Sequence, residues 1–308
     1  MEAADALKRI SAEDGTLQQY MDFLNSVDNA PRMDVAEADR LSYEAADKAL
    51  VTRGEPERML RYVREYPDGA FRATALESLM AHFAAEGKTD DAVQCAEEII
   101  RRYPDNAAIE QALSVKAEAD YAAGRGEAAL RAWQQLEQRA SSASRLNASR
   151  LGIMRVGRDV ADYDLVLRAA AALLASSTLG AENRSEAVYS KGLALAASGR
   201  DEEAREMWRS ISASTDDQYG VKAAYSLAQS YFDDGNLDEA GRLAEELTGS
   251  GTPHAYWLAR GFILLSDVYS ARGKTFEARE YLNALRSNYP GDESDIFDMI
   301  DTRLSKLK

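Results

Sequence analysis

The stretch Tyr231-Phe232-Asp233-Asp234-Gly235-Asn236-Leu237-Asp238-Glu239-Ala240 holds the feature that decides the fold: a glycine turn with a small residue five positions later. Gly lets a chain leave a helix in the left-handed conformation at little steric cost. A small side chain five residues on lets the backbone of a second helix cross close to the first. The same pair recurs as Gly87 and Ala92, Gly124 and Ala129, Gly199 and Ala204, and Gly273 and Ala278. Gly54 leads to Met59, and Gly15 adds one more turn towards the N-terminus. One turn lacks glycine: in Ala161-Asp162-Tyr163-Asp164, Ala161 leads to Val166.

The hinges therefore stand at 15, 54, 87, 124, 161, 199, 235 and 273, spaced by 33 to 39 residues. That leaves room for about fourteen residues of helix on either side of each hinge, a helix A before it and a helix B after it. Apolar residues in helix A recur at helical period, as in Leu258, Phe262, Leu265 and Tyr269. Tyr103-Pro104 and Tyr289-Pro290 follow Gly87 and Gly273 at the same distance, where Pro ends helix B. An all-α, α-α superhelical solenoid over residues 1–308 is expected, with about eight helix hairpins.

These residues resemble the tetratricopeptide repeat, a pattern of about 34 residues. Gly192, Ala228 and Ser266 match its small eighth position, and Phe83, Tyr231 and Tyr269 its aromatic eleventh. Ala92, Ala129, Ala204, Ala240 and Ala278 match the twentieth, and Pro104 and Pro290 the closing proline. The unit around Ala161 and Val166 departs most. A narrower resemblance lies in Gly251–Tyr269 and Ile296–Ile300, which look like the C-terminal part of long, mostly uncharacterised repeat proteins of Bacteroides-type bacteria. That resemblance implies export and a place in the periplasm or cell envelope.

The two ends differ. Residues Asp292 to Leu307 form one more amphipathic helix, with Ile296, Ile300 and Leu304 on one stripe and Phe297 and Leu307 beside it. Such a helix covers the last repeat of a solenoid. At the other end the chain opens inside a repeat, so Met1 is read as added to an excised C-terminal fragment. A natural start with a frayed first repeat is the alternative. The stretch from Val27 to Asp34 is irregular and joins the first two repeats.

Composition narrows the function. Lys and Arg number 37 against 52 Asp and Glu, a formal charge of −15. Such a chain repels phosphate backbones, which argues against nucleic acid as a partner. No apolar run approaches a membrane span, and Met1-Glu2-Ala3-Ala4-Asp5 lacks the basic head and apolar core of a signal peptide. The one cysteine, Cys95, excludes an intrachain disulfide and is expected to pack within helix B.

Motifs of catalysis are not found. His82 and His254 are the two histidines and stand far apart, without zinc spacing. Gly124-Arg125-Gly126 lacks the rest of a nucleotide loop, and no cofactor or metal is expected. Acid pairs such as Asp90-Asp91 and Glu202-Glu203 suit helix starts.

The remaining class is a non-enzymatic scaffold or adaptor that binds a protein or peptide. Tetratricopeptide superhelices usually bind in the concave groove, through the fifth, ninth and twelfth positions of helix A. From these positions Tyr121, Arg155, Arg158, Tyr189, Tyr225 and Phe232 form the candidate protein-binding groove. Residues 138–158 carry Arg139, Arg145, Arg150, Arg155 and Arg158 and no acid, a basic zone able to receive a carboxylate. The Lys and Asn clamp of co-chaperone relatives is absent, since Glu44, Glu77 and Ser114 hold the fifth positions and Lys48, Ala81 and Glu118 the ninth. An architectural spacer or oligomerisation arm without a ligand, and an all-helical enzyme, are the competing readings.

Overall fold

The structure, a computed structural model, describes residues 2–27, 30 and 32–307. Among them it contains seventeen α-helices and no strand. Met1, and residues 28, 29 and 31 of the expected first joint, lie outside the described residues. Two compact units divide the chain, one up to Ser141 and one from Ser142 onward.

The first unit runs α1 (Glu2–Asp14), α2 (Leu17–Ser26), α3 (Val35–Arg53), α4 (Glu57–Glu65), α5 (Arg72–Ala85), α6 (Thr89–Arg102), α7 (Ile109–Ala122) and α8 (Gly126–Arg139). The second runs α9 (Ala143–Asp159), α10 (Tyr163–Leu174), α11 (Ala181–Ala197), α12 (Asp201–Arg209), α13 (Gln218–Asp233), α14 (Leu237–Thr248), α15 (Ala255–Ala271), α16 (Thr275–Asn288) and α17 (Ser294–Lys306). In each unit most consecutive helices pack on one another, as α5 on α6 and α13 on α14 do, while α3 packs on α1. In the second unit each odd helix also touches the next, so α9, α11, α13, α15 and α17 form one layer.

The turns within hairpins share one geometry. Gly87, Gly124, Gly199, Gly235 and Gly273 have φ between 72° and 76°. The residue after each donates its N–H five residues back, as Lys88 does to Phe83 O at 2.9 Å and Asn236 to Tyr231 O at 2.9 Å. That bond satisfies a carbonyl which the helix end would otherwise leave open. Ala161 adopts the same conformation, with φ 57°, and is the one non-glycine among the described residues to do so. Asp162 N–H still closes onto Gly157 O at 2.8 Å.

Beyond each turn, Ala92, Ala129, Val166, Ala204, Ala240 and Ala278 are buried. Close crossing makes the small residues necessary. A Cβ on Gly192 would stand 2.3 Å from Nε1 of Trp208. Ser266 fills the equivalent place on α15 and donates to Ala278 O on α16 at 3.0 Å.

Helix α17 presents Ile296 and Ile300, both fully buried, to Ala259, Ile263, Ala278 and Leu282. Each such side chain contributes about 1.5–3 kcal/mol. Arg303 fixes the angle by donating to both oxygens of Asp267 on α15, at 2.7 Å from Nε and 2.7 Å from Nη2.

Candidate functional site

The odd helices of the second unit share a face on which polar and aromatic side chains run from one helix to the next. On α9 and α11, Arg155 donates from Nε to Glu186 Oε1 at 2.9 Å and from Nη2 to Oε2 at 2.6 Å. Arg158 reaches the same carboxylate at 3.4 Å and Ser190 Oγ at 3.2 Å. Glu186 is buried, so its charge depends on these partners. Burial alone would push its carboxyl up, but the hydrogen bonds and charge of Arg155, with Arg158 beside it, hold it below the usual carboxylate range.

Under this face, from α11 to α13, the buried rings of Tyr189 and Tyr219 meet at 5.9 Å between centroids. The Lys222 ammonium lies 4.9 Å from the centroid of Tyr219 and 6.0 Å from that of Trp257 on α15. Burial, and then repulsion from Arg158, push the Lys222 amine below its ordinary range. Trp257 also meets Tyr225 at 5.5 Å and Tyr256 at 5.3 Å. Arg260 donates to Tyr225 Oη at 2.9 Å and to Tyr256 Oη at 3.2 Å, and Tyr256 donates to Asp295 of α17 at 2.7 Å.

Beside this ladder lies a cavity of about 410 Å³ between α11, α12 and α13. Tyr225, Gln229, Asp233, Asp234 and Arg205 are among its lining residues. Arg205 is buried, stacks over Tyr231 at 4.5 Å, and is held by Glu202, Ser230 and Asp234.

The structure distributes the sequence candidates unevenly. Arg155 and Arg158 converge, but the carboxylate they receive is the chain's own Glu186. Tyr189 is not on the open face: it is buried among Trp208, Tyr219, Ala223 and Leu227, because the glycine at 192 lets α12 come close. Tyr225 joins the ladder at Trp257 and Arg260. Phe232 lies two helical turns further along α13, about 10 Å away, packed partly against Leu264 and Leu265. Tyr121 belongs to α7 in the first unit. Of the other basic-zone residues, Arg139 donates to Pro104 O at 3.0 Å.

Sequence reasoning missed Glu186, Lys222 and Arg260, which hold the second position of three consecutive repeats. It also missed Tyr219, Tyr256 and Trp257. The signal was present: position two lies three residues before position five, on the same helical face.

The histidines fall one in each unit, His82 on α5 and His254 at the start of α15. Cys95 is buried on α6, and burial pushes its thiol up to about 11. No helix among the described residues is long and apolar enough to cross a membrane.

Comparison with known proteins agrees with this architecture. Residues 75–106 in the first unit and 257–292 in the second match the tetratricopeptide repeat family. Among solved structures, the chain is similar to PilW, described as a widely conserved type IV pilus biogenesis factor. The identity is 18%, covering 76% of this chain and 97% of that one, with a TM-score of 0.52. It is also similar to a tetratricopeptide repeat protein from Parabacteroides merdae ATCC 43184. There the identity is 12%, covering 96% of this chain and 99% of that one, with a TM-score of 0.49. At such identities the likeness to PilW bears on the fold alone. No curated protein matches the sequence. The chain carries tetratricopeptide repeats, with a family match in each unit, within an all-α fold of solenoid type.

Proposed function

We propose that the chain is a non-enzymatic scaffold that binds a protein or peptide on the odd-helix face of its second unit. The observation that carries this reading is the continuous ladder across α11, α13 and α15, where Tyr225, Trp257 and Arg260 stay partly exposed. Aromatic and Arg side chains dominate the energetics of protein interfaces, and here neighbouring contacts fix their positions in advance. Tetratricopeptide repeats serve in general as protein-binding units, which supports the same reading.

The setting we infer is a bacterial cell-envelope assembly. It is supported by the resemblance of Gly251–Tyr269 and Ile296–Ile300 to exported repeat proteins.

The test is affinity capture from the cells that produce the protein. The natural chain is compared with a Trp257→Ala/Arg260→Gln variant and with a Phe276→Ala control, altered at a residue that is 72% exposed on α16. A partner retained by the control and lost by the double variant supports the reading. A partner held equally by all three contradicts it. A chain that captures nothing is the architectural spacer.

A further inference from the structure

We infer that the occupant of this face is an acidic peptide segment, whose internal Asp or Glu side chain pairs with Lys222 and Arg260. The inference rests on the binding role proposed above and adds the chemistry of the partner. Lys222 is partly buried between two aromatic rings and makes no ion pair among the described residues. Among the described residues, the carboxylate close enough to attract it is that of Glu186, which Arg155 and Arg158 already bond. Arg260 is also partly buried, and its hydrogen-bond partners are two neutral phenols. The two cations flank one indole, at 6.0 Å and 5.8 Å from the centroid of Trp257.

Charge is not usually left half-buried without an anion, because desolvation costs it part of its hydration. On the same odd helices, Arg155 and Arg158 have Glu186, and Arg303 of α17 has Asp267. In a chain of net charge −15, two uncompensated cations beside one tryptophan form a local complement to a carboxylate. The rings of Tyr219, Tyr225, Tyr256 and Trp257 supply apolar wall on both sides, which favours a side chain within a peptide over a free anion.

The probe is a fluorescein-labelled twelve-residue peptide of alternating Glu and Leu, blocked at both ends so that no terminal carboxylate contributes. A Gln-for-Glu twin and a Lys-for-Glu twin accompany it. Trp257 is the partly exposed tryptophan, while Trp133 and Trp208 are buried, so its emission gives a second readout. The Glu peptide should bind the full chain at least about tenfold more tightly than the Gln twin, the magnitude of a charge-assisted hydrogen bond, and the Lys twin should not bind. Lys222→Met keeps the aliphatic stem over the rings and should lose that preference; Lys222→Arg should restore it. Helical circular dichroism confirms that both variants fold. Equal binding of the Glu and Gln peptides, or a Glu preference that survives Lys222→Met, overturns the acidic assignment and leaves the binding face standing. Failure of all three peptides also overturns it. Capture of the native partner that is indifferent to Trp257→Ala/Arg260→Gln removes the face itself.

Discussion

Arg155 on α9 and Glu186 on α11 are joined by two parallel hydrogen bonds, of 2.9 Å and 2.6 Å, and the carboxylate is 2% exposed. This pair links two consecutive hairpins by charge, beside the bonds from Arg158 to Glu186 and Ser190. Removing the acid leaves Arg155 and Arg158 without it, and removing its charge leaves polar atoms buried. Glu186→Gln should therefore destabilise the second unit by about 2 kcal/mol at neutral pH. The guanidiniums are partly solvated, which keeps the cost below that of a wholly buried pair. Urea unfolding followed by circular dichroism checks it.

The same pair sets a dependence on acid. The folded-state pKa of Glu186 lies below its ordinary value, so its contribution is present above the unfolded pKa, about 4.3. It is lost as pH falls through the folded value. The natural chain should lose stability faster than Glu186→Gln between roughly pH 5 and pH 3. Parallel slopes in urea titrations across that range would refute the coupling.

Gly192 is where α11 meets the indole of Trp208 on α12, and an added Cβ would overlap it. Gly192→Ala should cost about 1–3 kcal/mol through overpacking, despite the better helix propensity of Ala. A change in Trp208 emission together with a lower urea midpoint is the expected result.

Ala161 is the opposite case. Its φ of 57° carries a Cβ penalty that the glycines at the equivalent turns avoid. Ala161→Gly should raise stability by about 1 kcal/mol, offset in part by the extra freedom of Gly in the unfolded chain. A midpoint equal to or below that of the natural protein would show that the turn is not strained.

Cys95 should react slowly with an aromatic disulfide reagent, because it is buried and its thiol is pushed up to about 11. Urea should speed the reaction by orders of magnitude. Fast labelling in the native state would place the thiol nearer the surface than α6 allows.

The fold was readable because its constraints are local. A left-handed turn selects Gly, a close crossing selects Ala, and both recur at one spacing, as at Gly235 and Ala240. The face was less readable because its chemistry depends on partners from other repeats. Arg155 and Arg158 read as a basic zone when followed along the chain; Glu186, some 30 residues later, pairs with both. Lys222 and Arg260 went unread for the converse reason. Ordinary surface cations in sequence, they matter because packing places both beside Trp257. Tyr189 looked like a groove residue from its position in the repeat, yet the space opened by Gly192 draws it into the core with Trp208.

The most direct test of the central claim is photo-crosslinking in the cells that produce the protein. A photoreactive amino acid is placed at Gln229, on α13 beside Tyr225, and separately at Phe276, on α16. The account predicts a discrete protein adduct from position 229 and little or none from position 276. The same adduct from both positions, or an adduct from position 276 alone, would contradict it.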